Sequence, residues 1–211
     1  MADMILYGFD GSTYVRTVRM LLAAKGAEYE QVPVNVLKGE PRQPEHLERN
    51  PFGKVPVLDV DGMRLIETNA IARYLNDTLS GPSFVPQDAK DRARMDMTIG
   101  IVDSYAYGAL LGGLLNYHLF AESEEDKDED ARKQGIDDLR LSLREIMKLR
   151  GDDPWIAGDA MSLADLYLAP LCFYVEQTPD KETVLDVPGL ADWWQRMKRE
   201  AIYTQTEPDL G

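Results

Sequence analysis

Short apolar runs alternate with helix-spaced ones over the first eighty residues. Met4 to Gly8 is a compact apolar run and predicts a strand. Val15, Val18, Leu22 and Lys25 then fall at helical spacing, with the apolar residues on one face. Tyr29 to Val34 predicts a second strand. Lys38-Gly39-Glu40-Pro41-Arg42 is a breaker-rich loop ahead of a short polar helix around Glu45 to Glu48. Asp61-Gly62 separates the apolar runs Val55 to Val60 and Met63 to Ile66, a strong hairpin signal. A helix from about Thr68 to Leu79 places Ile71, Tyr74, Leu75 and Leu79 on one side. The order βαβαββα combines a parallel crossover with an antiparallel hairpin, so the sheet must be mixed.

Ser80 to Pro86 reads as a linker, and the pattern changes after it. Helical spacing runs from about Asp88 to His118, Ala131 to Arg150, Ser162 to Gln177 and Pro188 to Glu200, with no convincing strand. Ile136, Leu139, Leu143, Ile146 and Met147 form one stripe; Leu190, Trp193, Trp194 and Met197 form another. Ser162 to Asp165 is a capping box with Met161 and Leu166 placed as a staple, a structural motif despite its catalytic-looking residue types. The acidic run Glu122 to Asp130 reads as a solvated loop or frayed helix end. The fold class is α/β plus all-α, with a boundary near residues 80–87: an α/β domain over 1–80 and a helical-bundle domain over 88–211.

Composition narrows the partners. The 211 residues carry a formal net charge of −14, which argues against nucleic acid and anionic membranes. No segment approaches a run of about 18 apolar residues, so no membrane span is expected. The start has an early acid and no basic region, so no secretory signal is expected. Cys172 is the single cysteine and cannot form an internal disulfide, which fits a reducing cytoplasm. His46 and His118 are the only histidines, and no His/Cys cluster predicts a metal.

Four stretches carry a resemblance. They are Leu6-Tyr7-Gly8 followed by Ser12 and Val15-Arg16, then Arg49-Asn50-Pro51-Phe52-Gly53-Lys54-Val55-Pro56-Val57-Leu58, then Ile66-Glu67-Thr68 through Leu75, and Met161 to Leu166. Asn-Pro-Phe-Gly-Lys-Val-Pro with the Glu-Thr segment is the specific pair. Over nearly its whole length the chain resembles the glutathione transferase superfamily, with a serine-type, phi- or theta-like N-terminal half of bacterial type. That resemblance implies a thioredoxin-like N-terminal domain, glutathione as co-substrate and a homodimer, beside the cytoplasmic, metal-free reading that the cysteine and histidine content gives. It implies conjugation of the glutathione thiolate to a small hydrophobic electrophile. The alternatives on the same site are a disulfide reductase, an isomerase, a β-etherase-type lyase or a non-catalytic glutathione-binding protein.

The resemblance also assigns residues. Val55 before a cis Pro56 would hold the cysteinyl backbone by strand addition. Glu67 and Thr68, at a helix start, would take the γ-glutamyl end. Lys54 and Arg42 would take the glycyl carboxylate, although Pro41 stands where the phi-like pattern usually has histidine. The Ser12 hydroxyl would donate to sulfur, with Thr13 and Tyr7 as fallbacks, and Ser12 equally suits an N-cap. Cys172 reads as an inert core thiol. Gly108, Gly112 and Gly113 interrupt an apolar helix; either they allow close helix packing or a kink, or they widen an electrophile pocket lined by Tyr105, Tyr107 and Tyr117. Asp103 is a further candidate for the partner's γ-glutamyl site.

Overall fold

Four short strands order the first half of the computed structural model, which describes residues 4–208. They are β1 (Ile5–Tyr7), β2 (Glu30–Val32), β3 (Val57–Val60) and β4 (Met63–Ile66). Helices α1 (Thr13–Lys25), α2 (Pro44–Arg49) and α3 (Thr68–Thr78) connect or follow them. The sheet order is β2-β1-β3-β4, parallel between β1 and β2 and antiparallel elsewhere. This is the mixed βαβαββα order that the apolar pattern predicts, in the thioredoxin-like arrangement that the resemblance implies. The strands are shorter than the apolar runs, because Tyr29, Val34 and Val55 lie just outside the ladder.

Side-chain alternation divides the sheet. Leu6 and Leu58 are fully buried on one face, while α1 and α3 bury Val15, Val18, Leu22, Ile71 and Leu75 and pack on each other. Tyr7 and Val57 point to the other face, where they cluster with Val34 and are flanked by Ile5, Val32, Val55 and Ile66. Period-two alternation separates Tyr7 from its neighbour Leu6.

The remaining helices are α4 (Ala89–Phe120), α5 (Glu129–Arg150), α6 (Leu163–Glu176), α7 (Lys181–Val184), α8 (Leu190–Met197) and α9 (Ala201–Thr204). Asp88 and Asp128 cap α4 and α5 by accepting backbone N–H bonds in the first turn. Within α4 the turns widen to π type over Val102–Ala106 and Leu110–Phe120. At Gly113 a Cβ would lie 2.8 Å from the Gly135 Cα on α5 and 3.1 Å from the Ala131 carbonyl. Close helix packing therefore explains Gly113, and no pocket is widened there.

α4 corrects one expectation. By length and composition it is apolar enough to cross a membrane, although 44% of the qualifying stretch is buried inside the protein. Counting consecutive apolar residues misses this because Asp103 and Ser104 break the run without making the average polar.

The chain separates into two compact units. One holds the described residues up to Ser83 together with those from Ala201 onwards; the other runs from Phe84 to Glu200. The pattern placed everything from 88 to 211 in one helical domain, so the end of the chain departs from it. Arg16 gives the reason. This α1 side chain is 1% exposed, donates to the Tyr203 carbonyl at 3.0 Å, and stacks 4.2 Å from the Tyr203 ring centroid. Burial lowers its pKa, and the last described segment supplies the ring and carbonyl that accommodate the buried cation. The outermost parts of the two predicted ranges, residues 1–3 and 209–211, lie outside the described residues, as does the predicted leaderless start.

Candidate functional site

Strand register brings the predicted residues to one end of the sheet. Tyr7, the last residue of β1, pairs with Val57, the first of β3, and Val57 also pairs with Ile66, the last of β4. The segments just beyond these pairs are Gly8 to Ser12, Val55-Pro56 and Glu67-Thr68. β2 ends beside them, since Val32 pairs with Tyr7 and its carbonyl accepts the Gly8 N–H at 3.0 Å. Residues distant in sequence therefore meet because one sheet combines parallel and antiparallel pairs.

Ser12 is the N-cap of α1. Its Oγ accepts the Val15 N–H at 3.3 Å, and its own N–H donates to the Phe9 carbonyl at 3.1 Å. The cap uses an oxygen lone pair and leaves the O–H to donate elsewhere. Thr13 follows as the first helical residue, and its carbonyl accepts the Thr17 hydroxyl at 3.2 Å. The loop ahead of Ser12 is tied down by residues that sequence reasoning missed. Gln31 donates to the Gly8 carbonyl at 3.1 Å and to Asp10 Oδ1 at 2.8 Å, and Arg19 lies 3.2 Å from the same oxygen. A glutamine within a predicted strand is the only trace of this in the sequence.

Tyr7 lies on the sheet face opposite α1 and α3, the face that Val55 also packs against. Its hydroxyl donates to Asp59 Oδ2 at 3.3 Å, and Arg49 sits 4.4 Å above its ring. Arg64 holds Asp59 with two bonds of 2.6 Å and, as the main cause, pulls its pKa below the ordinary carboxylate value.

The Val55-Pro56 bond is cis, as the resemblance implies. Among the described residues neither the N–H nor the C=O of Val55 is engaged. The turn before it is anchored from α2 and its C-cap: the cap residue Asn50 donates to the Lys54 carbonyl at 3.0 Å, and His46 Nε2 lies 2.9 Å from that oxygen. The Asn50 side-chain oxygen accepts the Phe52 N–H at 3.1 Å. Lys54 itself is exposed. Arg42 ends a short 3-10 turn (Glu40–Arg42), and its Cδ lies 3.0 Å from where a Gly53 side chain would start, so it shares the turn with Lys54.

Glu67 is exposed, with φ 69° and ψ 114°, a conformation that strains a side-chain-bearing residue. It precedes α3 without a side-chain cap bond among the described residues, while its carbonyl accepts the Ile71 N–H at 3.0 Å. Thr68 opens the helix and is 9% exposed. The first N–H groups of α3 thus face the same end of the sheet as Ser12 and Val55. This is a donor-rich site for an anionic ligand.

The weaker candidates lie in the helical unit. Tyr105 and Gly108 line a cleft of about 460 Å³ with Ile101, Leu141 and Glu145. Gly112 is outside that cleft and has open space where a Cβ would be. Tyr117 lies against charged neighbours, with Arg132 at 5.2 Å and Lys127 at 5.6 Å from its ring. Tyr107 is half-buried, and burial raises its pKa. Asp103 is exposed on α4. Cys172 is fully buried in α6, and burial pushes its thiol well above the ordinary value. Such a thiol is inert at neutral pH. Among the described residues no group of three or more His, Cys, Asp and Glu side chains is placed to hold a metal ion.

Comparison with known proteins agrees with this geometry. The model of the glutathione S-transferase N-terminal domain matches residues 2–77, and that of the C-terminal domain matches residues 113–200. Maleylacetoacetate isomerase of Pseudomonas aeruginosa is 33% identical over 97% of this chain and 92% of its own length. Glutathione S-transferase 1 of Zea mays is 29% identical over 96% of this chain and 95% of its own. A crystal structure of a Populus trichocarpa glutathione transferase superposes with a TM-score of 0.85 at 26% identity, covering 96% and 97% of the two chains. The chain belongs to the glutathione S-transferase family.

Proposed function

We propose that this transferase binds glutathione at the sheet end built by Ser12, Val55-Pro56 and Glu67-Thr68, and joins its sulfur to a small hydrophobic electrophile. The carrying observation is the unengaged Val55 backbone beside the cis proline, flanked by the N-termini of α1 and α3. An extended cysteinyl unit pairs with Val55 as an added strand. The γ-glutamyl carboxylate takes the Thr68 hydroxyl and the first N–H groups of α3, with Glu67 beside the ammonium. Lys54 and Arg42 face the glycyl carboxylate. These local cations and helix N-termini offset the repulsion that a chain of net charge −14 exerts on an anionic peptide.

Ser12 donates its O–H to the sulfur. A free thiol of pKa about 8.5 is roughly 3% thiolate at pH 7. Lowering that pKa by about two units raises the thiolate roughly 25-fold but costs about eightfold in nucleophilicity, for a net gain near threefold. Most of any larger acceleration comes from holding the electrophile against the sulfur.

A second reading, isomerisation, is favoured by the 33% identity to maleylacetoacetate isomerase. The same thiolate would add to an activated double bond and leave again, regenerating glutathione. A panel of an aryl halide, hydroxyethyl disulfide, a hydroperoxide and a maleylacetone-type substrate separates the two. Turnover of the aryl halide supports conjugation; turnover of the maleylacetone-type substrate alone replaces it with isomerisation.

The proposal includes a cytoplasmic homodimer that works without a metal. Both histidines are engaged, His46 at Lys54 and His118 at Asp180. Met97, Tyr105 and Leu141, on α4 and α5, are 53%, 66% and 51% exposed, an apolar face suited to a second copy. A partner seated there covers the Tyr105–Gly108 cleft, so those residues serve subunit contact in this reading rather than the electrophile. Calorimetric titration with glutathione in the presence of a chelator checks the metal-free claim; loss of binding contradicts it.

A further inference from the structure

His46 is 2% exposed and sits in α2, with Nε2 2.9 Å from the Lys54 carbonyl oxygen. A carbonyl can only accept, so Nε2 carries the hydrogen. Nδ1 is buried without a hydrogen-bond partner. Asn50 donates to the same oxygen at 3.0 Å, so both of its lone pairs are in use.

This anchoring has a directional consequence. The Lys54–Val55 peptide is trans, the cis bond being the next one along. In a trans peptide the C=O and the N–H point to opposite sides. Pinning the Lys54 carbonyl toward α2 aims the Val55 N–H away from α2. That N–H is the group left unengaged among the described residues.

We propose that His46 is a positioning residue for glutathione: its Nε2–H, together with Asn50, fixes the Lys54–Val55 peptide so that the Val55 N–H meets the cysteinyl unit of the tripeptide. The inference rests on the reading above that glutathione docks on Val55. A buried histidine that only fills space would have no need of this particular hydrogen.

The test separates the donor from the ring. His46→Phe keeps an aromatic ring and removes the donor; His46→Gln keeps an N–H at similar reach. His46→Phe raises KM for glutathione about five- to tenfold, the effect of one hydrogen bond, with kcat at saturating glutathione unchanged. His46→Gln restores KM to near the wild-type value. An unchanged KM in His46→Phe overturns the proposal. So does a His46→Gln variant as impaired as His46→Phe, or a fall in kcat with KM unchanged, which marks packing. If His46→Phe does not fold, nitrogen-15 NMR of the wild-type imidazole decides. The neutral Nε2–H tautomer supports the assignment, and the Nδ1–H tautomer overturns it. Val55→Pro is measured alongside, since it removes the N–H itself. If Val55→Pro leaves KM for glutathione unchanged, docking on Val55 fails. If it raises KM while His46→Phe does not, only the role of His46 fails.

Discussion

Glu67 holds a backbone conformation that a side chain resists, at the point where α3 offers its free N–H groups. Such strain costs about 1–3 kcal/mol and persists where the surroundings impose it. Glu67→Ala removes the carboxylate and keeps the backbone demand. The expected outcome is a raised KM for glutathione with little change in thermal midpoint, checked by steady-state kinetics and calorimetry on one preparation. An unchanged KM removes Glu67 from the ligand site. The N-cap at Ser12 and the cis Val55-Pro56 bond were legible in the sequence because their motifs tie each to a turn. Tyr7, a fallback donor in the sequence, has its hydroxyl on Asp59 and its ring under Arg49, contacts that no spacing announces. His46 was not legible, since a lone histidine carries no periodicity and its meaning lies in one carbonyl eight residues away.

At the scale of elements, the start of α6 shows how a motif can look catalytic and be structural. Asp165 is fully buried and accepts from the Ser162 N–H at 2.8 Å, the Ser162 hydroxyl at 2.9 Å, the Ile156 N–H at 3.0 Å and Trp193 Nε1 at 2.8 Å. Burial raises its pKa, and those four donors oppose the rise. Asp165→Ala strands several buried donors at about 1–3 kcal/mol each. Urea unfolding is expected to show a loss of at least about 3 kcal/mol, while the folded fraction keeps its glutathione affinity. A loss under about 1 kcal/mol contradicts the structural role. Asp180 gives a pH-dependent counterpart. It accepts from Arg132 and pairs with His118 at 2.7 Å, and chiefly the Arg132 bonds hold its pKa below the ordinary value. A carboxyl depressed in the folded state stabilises fully above its unfolded pKa of about 4, and the contribution disappears as pH falls through the folded value. The stability gap between wild type and Asp180→Asn is therefore expected to narrow as the pH is lowered from about 5 toward 2. A gap constant over that range contradicts the assignment. The capping box and the long amphipathic helices were readable from spacing, whereas α7 and α9 were not, since four residues give too little periodicity.

At the scale of the whole molecule, the linker composition marked a change from mixed sheet to helices, but the return of the last segment to α1 was hidden. Only the buried Arg16 among apolar α1 neighbours hinted at it, and one cation in an apolar stripe does not say which ring and carbonyl will receive it. The exposed apolar face of α4 and α5 predicts a dimer by light scattering at micromolar concentration, and Tyr105→Asp is expected to shift it toward monomer. A monomeric wild type contradicts the dimer. The net charge of −14 bears on the chemistry itself, because the field of the chain opposes a thiolate. Any depression of the thiol pKa must come from groups beside the sulfur, which makes that pKa the most direct probe of the account. The decisive measurement is thiolate absorbance of bound glutathione against pH in wild type, Ser12→Ala and Tyr7→Phe. One charge-assisted hydrogen bond is worth about 1.5–3 kcal/mol, so Ser12→Ala is predicted to raise the pKa by roughly one to two units while Tyr7→Phe leaves it in place. An unchanged pKa in Ser12→Ala, or a shift of that size in Tyr7→Phe, contradicts the site as described.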